Sequence, residues 1–162
     1  MNGEQIVKVG MADMKVLAGS GVLKTAGLGS CVGLVLYDPV AMVSGMAHVM
    51  LPSSEIAREE EINRAKYADT AIPELVSRLT KLGASPHRLK AKMAGGAQMF
   101  AFGSDTMRIG QRNVESCKHW LTKCSIPVLA EDTGGNYGRT IEFYSNTGTL
   151  LLKTAHQGVK EM

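Results

Sequence analysis

The chain has 162 residues, 44% of them hydrophobic and 20% charged, with a formal net charge of +3. That length and balance fit one domain over residues 1–162 and exclude a disordered chain. No apolar run approaches the roughly 20 residues needed to cross a bilayer, and no lysine–arginine block or aromatic–basic ladder marks a nucleic-acid surface. In chain order, "MNGEQIVKVGMADMKVL" alternates polar and apolar residues and lacks the unbroken apolar core of a signal peptide, so a cytoplasmic location without membrane insertion is expected. Apolar side chains at Ile6, Val7, Val9, Met11, Met14 and Val16 predict strand structure over 5–18, clearest from Val7 to Met11. Gly19, Ser20 and Gly21 break it.

Residues 23–28 form a short predicted strand leading into Gly29 and Ser30. Residues 31–37 read as a buried strand, Asp38-Pro39 turns the chain, and residues 43–51, ended by Pro52, are the antiparallel neighbour. The charged stretch "SSEIAREEEINRAK" (53–66) reads as a surface loop, with a short solvated helix as the alternative. Tyr67, Ala71, Leu75, Leu79 and Leu82 recur every three or four residues and predict a helix stopped by Gly83. Pro73 sits in its first turn or bends it. "LKAKMA" (89–94) alternates as a strand, "GGAQMFAFGSD" (95–105) is a glycine-rich turn and apolar loop, and residues 113–123 form a second amphipathic helix. Residues 126–130 read as a buried strand, and 140–144 with 149–154 flank "SNTG" as a terminal hairpin. The expected class is α/β, of α+β type, rich in antiparallel pairing and carrying two helices.

Chemistry concentrates in "TAGLGSCVGLVLYD" (25–38) and "MAHVML" (46–51). A glycine-rich turn brings backbone N–H groups together and leaves a thiol uncovered, conditions that favour a reactive thiolate at Cys31. Amides near Ser30 and Cys31 could hold an oxyanion. If 31–37 and 43–51 pair as a hairpin, His48 lies near the same end as Cys31 and could move its proton. Spacing alone leaves a second reading open, a buried cysteine and a satisfied core histidine. Cys117 and Cys124 lie about 10.5 Å apart along a helix, too far for a disulfide, and read as spectator thiols. His87, His119 and His156 read as surface residues. No metal-ligand spacing is present, and "MAGGAQMF" lacks the lysine and glycine spacing of a nucleotide loop, so no cofactor or metal is expected. "QMFAFGSD" holds two of only three phenylalanines, Phe100 and Phe102. Phe102, flanked by turn residues, is a partner-docking candidate, with a core plug as the competing reading.

The blocks "GLGSCVGLVLYDP", "GMAHVMLP", "KYADTAI", "KMAGGAQMF", "IGQRNV" and "LAEDTGGNYGRTIEF" run in this order along essentially the whole chain. Together they resemble the CheD family, the chemoreceptor glutamine deamidases of bacterial chemotaxis. The resemblance implies hydrolysis of glutamine side-chain amides on chemoreceptor cytoplasmic helices, with Cys31 as nucleophile, His48 as base and acid, and Thr25 orienting the imidazole. It places Gly29 and Ser30 as oxyanion or turn support, and implies a CheC-type phosphatase as partner. It also implies stacked β-layers with flanking helices, similar to the cytotoxic necrotizing factor deamidase fold. Gly95, Gly96, Gln98 and residues 132–136 are expected to scaffold the site, and Tyr67 and Asp69 to cap or anchor the following helix. The alternatives in other classes are a non-catalytic adaptor and a receptor methylesterase using the same pair.

Overall fold

Two strands of this chain are buried at every position, and that sets the layering. They are β4 (Val32–Asp38) and β5 (Val43–Val49). Side chains alternate across a strand, so full burial means that both faces are covered. In the computed structural model, which describes residues 5–55, 57, 60–99 and 108–162, one face of β4 and β5 packs on two helices and the other on a second sheet. Val32, Leu34, Leu36, Ala47 and Val49 meet Ala68, Ile72, Leu75 and Leu79 of α1 (Ala68–Lys81) and Cys117 and Leu121 of α2 (Ile109–Lys123). Val35, Tyr37 and Met46 meet Leu23, Leu28, Ile141, Phe143, Leu150 and Leu152.

The helix-covered sheet has the order β2 (Met14–Ala18), β5, β4, β6 (Lys90–Gly95), β7 (Val128–Thr133). The second sheet has the order β1 (Gln5–Lys8), β3 (Gly21–Leu28), β8 (Arg139–Tyr144), β9 (Thr149–Thr154), β10 (Gly158–Glu161). Pairing is parallel for β1–β3 and β6–β7 and antiparallel elsewhere. The class is α+β, two mixed sheets with two helices. Close approach of the layers depends on glycine. A Cβ on Gly45 would lie 2.6 Å from Leu75 Cδ1 of α1, and one on Gly33 would lie 2.6 Å from Ile141 Cδ1 of β8.

The 31–37 and 43–51 hairpin, the helix from Tyr67 and the strand over 89–94 all stand as predicted, within a residue or two. Several elements differ. The strand structure expected over 5–18 is two strands in different sheets, separated by a turn in which Ala12 takes a positive φ of 56°. Among the described residues of 53–66 there is no helix. Pro73 lies inside α1, past its first turn, and α2 starts at Ile109, four residues before the predicted start. The strand after α2 is a half-exposed edge strand rather than a buried one, with Leu129 51% exposed. Beyond the β8–β9 hairpin comes a further strand, β10, whose residues are all exposed. Tyr67 makes no side-chain cap, whereas the Asp69 carboxylate accepts the Ser54 N–H and hydroxyl at 2.9 and 2.7 Å and so anchors the preceding loop to α1. Phe100 and Phe102 lie outside the described residues. No helix among the described residues is long and apolar enough to cross a membrane.

Candidate active site

β4 and β5 carry Cys31 and His48 to one place. Gly33 pairs with His48 and Val32 with Val49, so Cys31 lies one residue beyond the last rung of this ladder. Cys31, Gly33, Val35 and Tyr37 share a face by the two-residue period, as do Met46 and His48. This is the face that looks at the second sheet. Thr25, from β3 of that second sheet, completes the group from across the layer. His48 and Thr25 are buried at 0% and 1% exposure, and Cys31 is 8% exposed.

The hydrogen bonds around His48 define its protonation. Thr25 Oγ1 lies 2.7 Å from the Val9 carbonyl oxygen and 2.8 Å from His48 Nδ1. A carbonyl only accepts, so the single hydroxyl proton goes to Val9 and the hydroxyl oxygen accepts from Nδ1–H. That leaves Nε2 as the unprotonated nitrogen of the neutral ring, and Nε2 is buried with no hydrogen-bond partner among the described residues. The break between β1 and β2 builds this arrangement. It presents the Val9 carbonyl to Thr25, and its Asp13 carbonyl accepts the His48 backbone N–H at 2.9 Å.

Burial lowers the His48 pKa and raises that of Cys31, whose own backbone N–H works against the rise. Both effects favour the uncharged forms, a thiol and an imidazole. The thiol is covered rather than open, and its removal from water acts on it more strongly than the nearby amide. Cys117 is pushed up to about 12 by complete burial, as befits an idle thiol, and Cys124 is half-buried.

The turn before Cys31 is held on every side. The Gly29 N–H donates to the Gly27 carbonyl at 3.1 Å and the Gly29 carbonyl accepts from the Ala97 N–H at 2.9 Å, so Gly29 serves as turn support and its amide is not free for an oxyanion. The Cys31 carbonyl accepts the Gly96 N–H at 2.9 Å. Gly95 must be glycine: its φ is +116°, and a Cβ there would land on the Cys31 carbonyl oxygen. The buried Arg139 donates to the Gly95 carbonyl at 3.3 Å and pairs with Asp132 at 2.9 Å, which makes the 132–139 block a scaffold for the Gly95 loop.

Asn113 is the site neighbour that the residue pattern did not single out. Its amide nitrogen donates to the Ser30 and Met50 carbonyls at 2.9 and 3.0 Å. The signal for it was a polar residue in line with Cys117 and Leu121, on the buried stripe of α2.

The family model described as CheD chemotactic sensory transduction matches residues 50–154. This chain belongs to the CheD family. It is 60% identical over 159 residues to the chemoreceptor glutamine deamidase CheD of Halalkalibacterium halodurans, covering 97% of this chain and 98% of that relative. It is 56% identical to the probable chemoreceptor glutamine deamidase CheD of Caldanaerobacter subterraneus, over 96% of this chain and 97% of the relative. Against the chemoreceptor glutamine deamidase CheD of Bacillus subtilis the identity is 48%, with coverage of 96% and 95%. Thr25, Cys31 and His48 precede the segment matched by the CheD family model but fall within the span of these near full-length CheD alignments.

Proposed function

We propose that this chain hydrolyses glutamine side-chain amides of chemoreceptors to glutamate and ammonia, with Cys31 as nucleophile and His48 as general base and acid. The observation that carries the reading is the hydrogen-bond chain from the Val9 carbonyl through Thr25 to His48 Nδ1, which leaves Nε2 unprotonated and without a partner among the described residues, on the strand paired with the one that Cys31 precedes. As Sγ attacks the glutamine Cδ, Nε2 takes the thiol proton. The carbonyl oxygen of the tetrahedral intermediate takes the negative charge, with the Cys31 backbone N–H as donor. The imidazolium then passes its proton to the departing nitrogen, ammonia leaves, and a thioester remains. Water attacks the thioester with His48 as base, and glutamate and the thiol are restored. Thr25 accepts from Nδ1–H throughout, in the neutral ring and in the imidazolium alike. Thiol, imidazole, backbone amides and water are sufficient for these steps, so the reading takes no cofactor.

The same reading takes receptor cytoplasmic helices as substrate in the cytoplasm and a CheC-type phosphatase as a partner that the chain binds and stimulates, with Phe102 as first anchor and Phe100 beside it. Family membership supports this, as does the pairing of two of only three phenylalanines in one segment. Stacked sheets with the cysteine and histidine between them support kinship with the cytotoxic necrotizing factor fold. The test is incubation with receptor cytoplasmic fragments followed by peptide mass mapping. Conversion of glutamine to glutamate by the wild type and none by Cys31→Ala is expected. A wild type that converts no glutamine overturns the reading, and methanol release from glutamyl methyl esters without ammonia makes the chain an esterase.

A further inference from the structure

We infer that Asn113 is the positioning residue that aims the Cys31 backbone N–H at the reacting carbonyl oxygen, by pinning the Ser30 carbonyl to helix α2. The inference rests on Cys31 acting as the nucleophile. Asn113 is completely buried on a stripe shared with Gly110, Cys117 and Leu121, where an apolar side chain is the ordinary occupant. A buried amide is unfavourable unless it is bonded. Both Nδ2 hydrogens are used, on Ser30 O at 2.9 Å and Met50 O at 3.0 Å. Two carbonyls can face only the nitrogen end of the amide, so its orientation is fixed, and Oδ1 is left buried without a partner among the described residues.

The consequence for Cys31 follows from peptide geometry. In a trans peptide the C=O and the following N–H point in opposite directions. A Ser30 carbonyl held on α2 therefore turns the Cys31 N–H away from the helix. That N–H lies beside its own Sγ, where it partly offsets the effect of burial on the thiol. The Cys31 carbonyl is held separately by the Gly96 N–H, so the peptide planes on both sides of the nucleophile are fixed. Asn113 also spans Cys31's turn and the end of β5 just past the Val32–Val49 rung, two residues beyond His48. Helix docking alone does not require it. Ser116, on the same helix, donates to the Pro52 carbonyl at 2.7 Å and anchors the segment after β5 independently.

The test compares Asn113→Leu, which removes both donors at similar size, with Ser116→Ala, which removes a bond of helix docking only. In Asn113→Leu, kcat for a receptor fragment is expected to fall about 10²-fold, the scale of a lost or misaimed oxyanion donor, with KM unchanged. The pH midpoint of iodoacetamide alkylation at Cys31 is expected to rise. Ser116→Ala is expected to keep wild-type kcat and midpoint. Wild-type kcat in a folded Asn113→Leu, a change in KM alone, or an equal kcat loss in Ser116→Ala overturns the inference. If Asn113→Leu does not fold, Asn113→Asp is read in its place by the same criteria, and failure of both to fold makes Asn113 purely structural and overturns it. If the wild type converts no receptor glutamine, the functional reading fails, while an unchanged alkylation midpoint in Asn113→Leu separately overturns the role of Asn113.

Discussion

The hydroxyl proton of Thr25 goes to the Val9 carbonyl at 2.7 Å, so His48 Nδ1 at 2.8 Å is the donor in the other bond. Thr25→Ser keeps both bonds and should keep most activity. Thr25→Val keeps the shape, orphans Nδ1–H and releases the choice of tautomer. Its kcat should fall, by less than the loss of about 10²–10⁴ expected for His48→Ala. A Thr25→Val enzyme with wild-type kcat removes Thr25 from the mechanism. Burial also makes a prediction for the pH–rate profile. With His48 lowered from 6.5 and Cys31 raised from 9.0, the acidic limb should lie below pH 6.5 and the alkaline limb above pH 9. An alkaline limb below pH 9 would show a preformed thiolate–imidazolium pair instead. Cys117→Ala and Cys124→Ala should both stay active, and a folded but inactive variant of either would show that these thiols are not spectators. Cys31 and His48 stand out in the residues as candidates, because a cysteine after a glycine-rich turn and a histidine within the next apolar run are unusual in strands, while spacing alone leaves a core reading of both open. Thr25 carried no such mark. A threonine in a strand is ordinary, and its partner is 23 residues away in the other sheet.

Among the elements, the strand end at Gly95 is the most tightly constrained. A Cβ there meets the Cys31 carbonyl oxygen, and the residue's φ of +116° is unfavourable for any side chain. Gly95→Ala should therefore lower both the melting temperature and kcat, because the displaced atom belongs to Cys31, the proposed nucleophile. Gly10→Ala, with nothing within 4 Å of its Cβ and no positive φ, should change neither. A Gly95→Ala enzyme with unaltered kcat would mean that the Cys31 backbone tolerates movement. The central elements were readable because β4, β5 and the face of α1 are buried on contiguous patterns that period alone reveals. The misread elements are those whose character depends on position in a sheet. Val128–Thr133 has the apolar residues of a buried strand, but it lies at an edge with Leu129 open to solvent. Gly158–Glu161 has no buried face to leave a pattern and pairs with β9 through its backbone. The alternation over 5–18 continues through a break that sends β1 and β2 to different sheets, since polar–apolar period carries no information about which sheet a strand joins.

On the scale of the whole molecule, the histidine proposed as base lies between two sheets that must close on it, so its protonation and the stability of the fold are linked. In the folded state burial lowers the His48 pKa below 6.5, whereas in the unfolded chain the imidazole titrates near its ordinary value. As pH falls below about 6.5 the unfolded state takes up a proton that the folded state resists, and stability falls. At full effect this slope is one proton, or about 1.4 kcal/mol per pH unit. A second loss follows at lower pH. The buried Asp38 carboxylate accepts the Val40, Ala41 and Ser85 backbone N–H groups and the Arg88 guanidinium, which hold its pKa below the usual carboxylate range despite its removal from water. Its contribution is complete above the ordinary value of 3.8 and is lost as pH falls from there towards the folded value. Urea unfolding of the wild type and of His48→Leu between pH 7.5 and 5 separates the first effect from the second. The leucine variant leaves Thr25 bonded to Val9 and removes the titrating ring, so its stability should change with pH less steeply than the wild type's below about pH 6.5. Parallel curves for the two proteins over this range would show that His48 is protonated as readily in the folded state as in the unfolded one, and would remove the physical basis for a neutral base at Nε2.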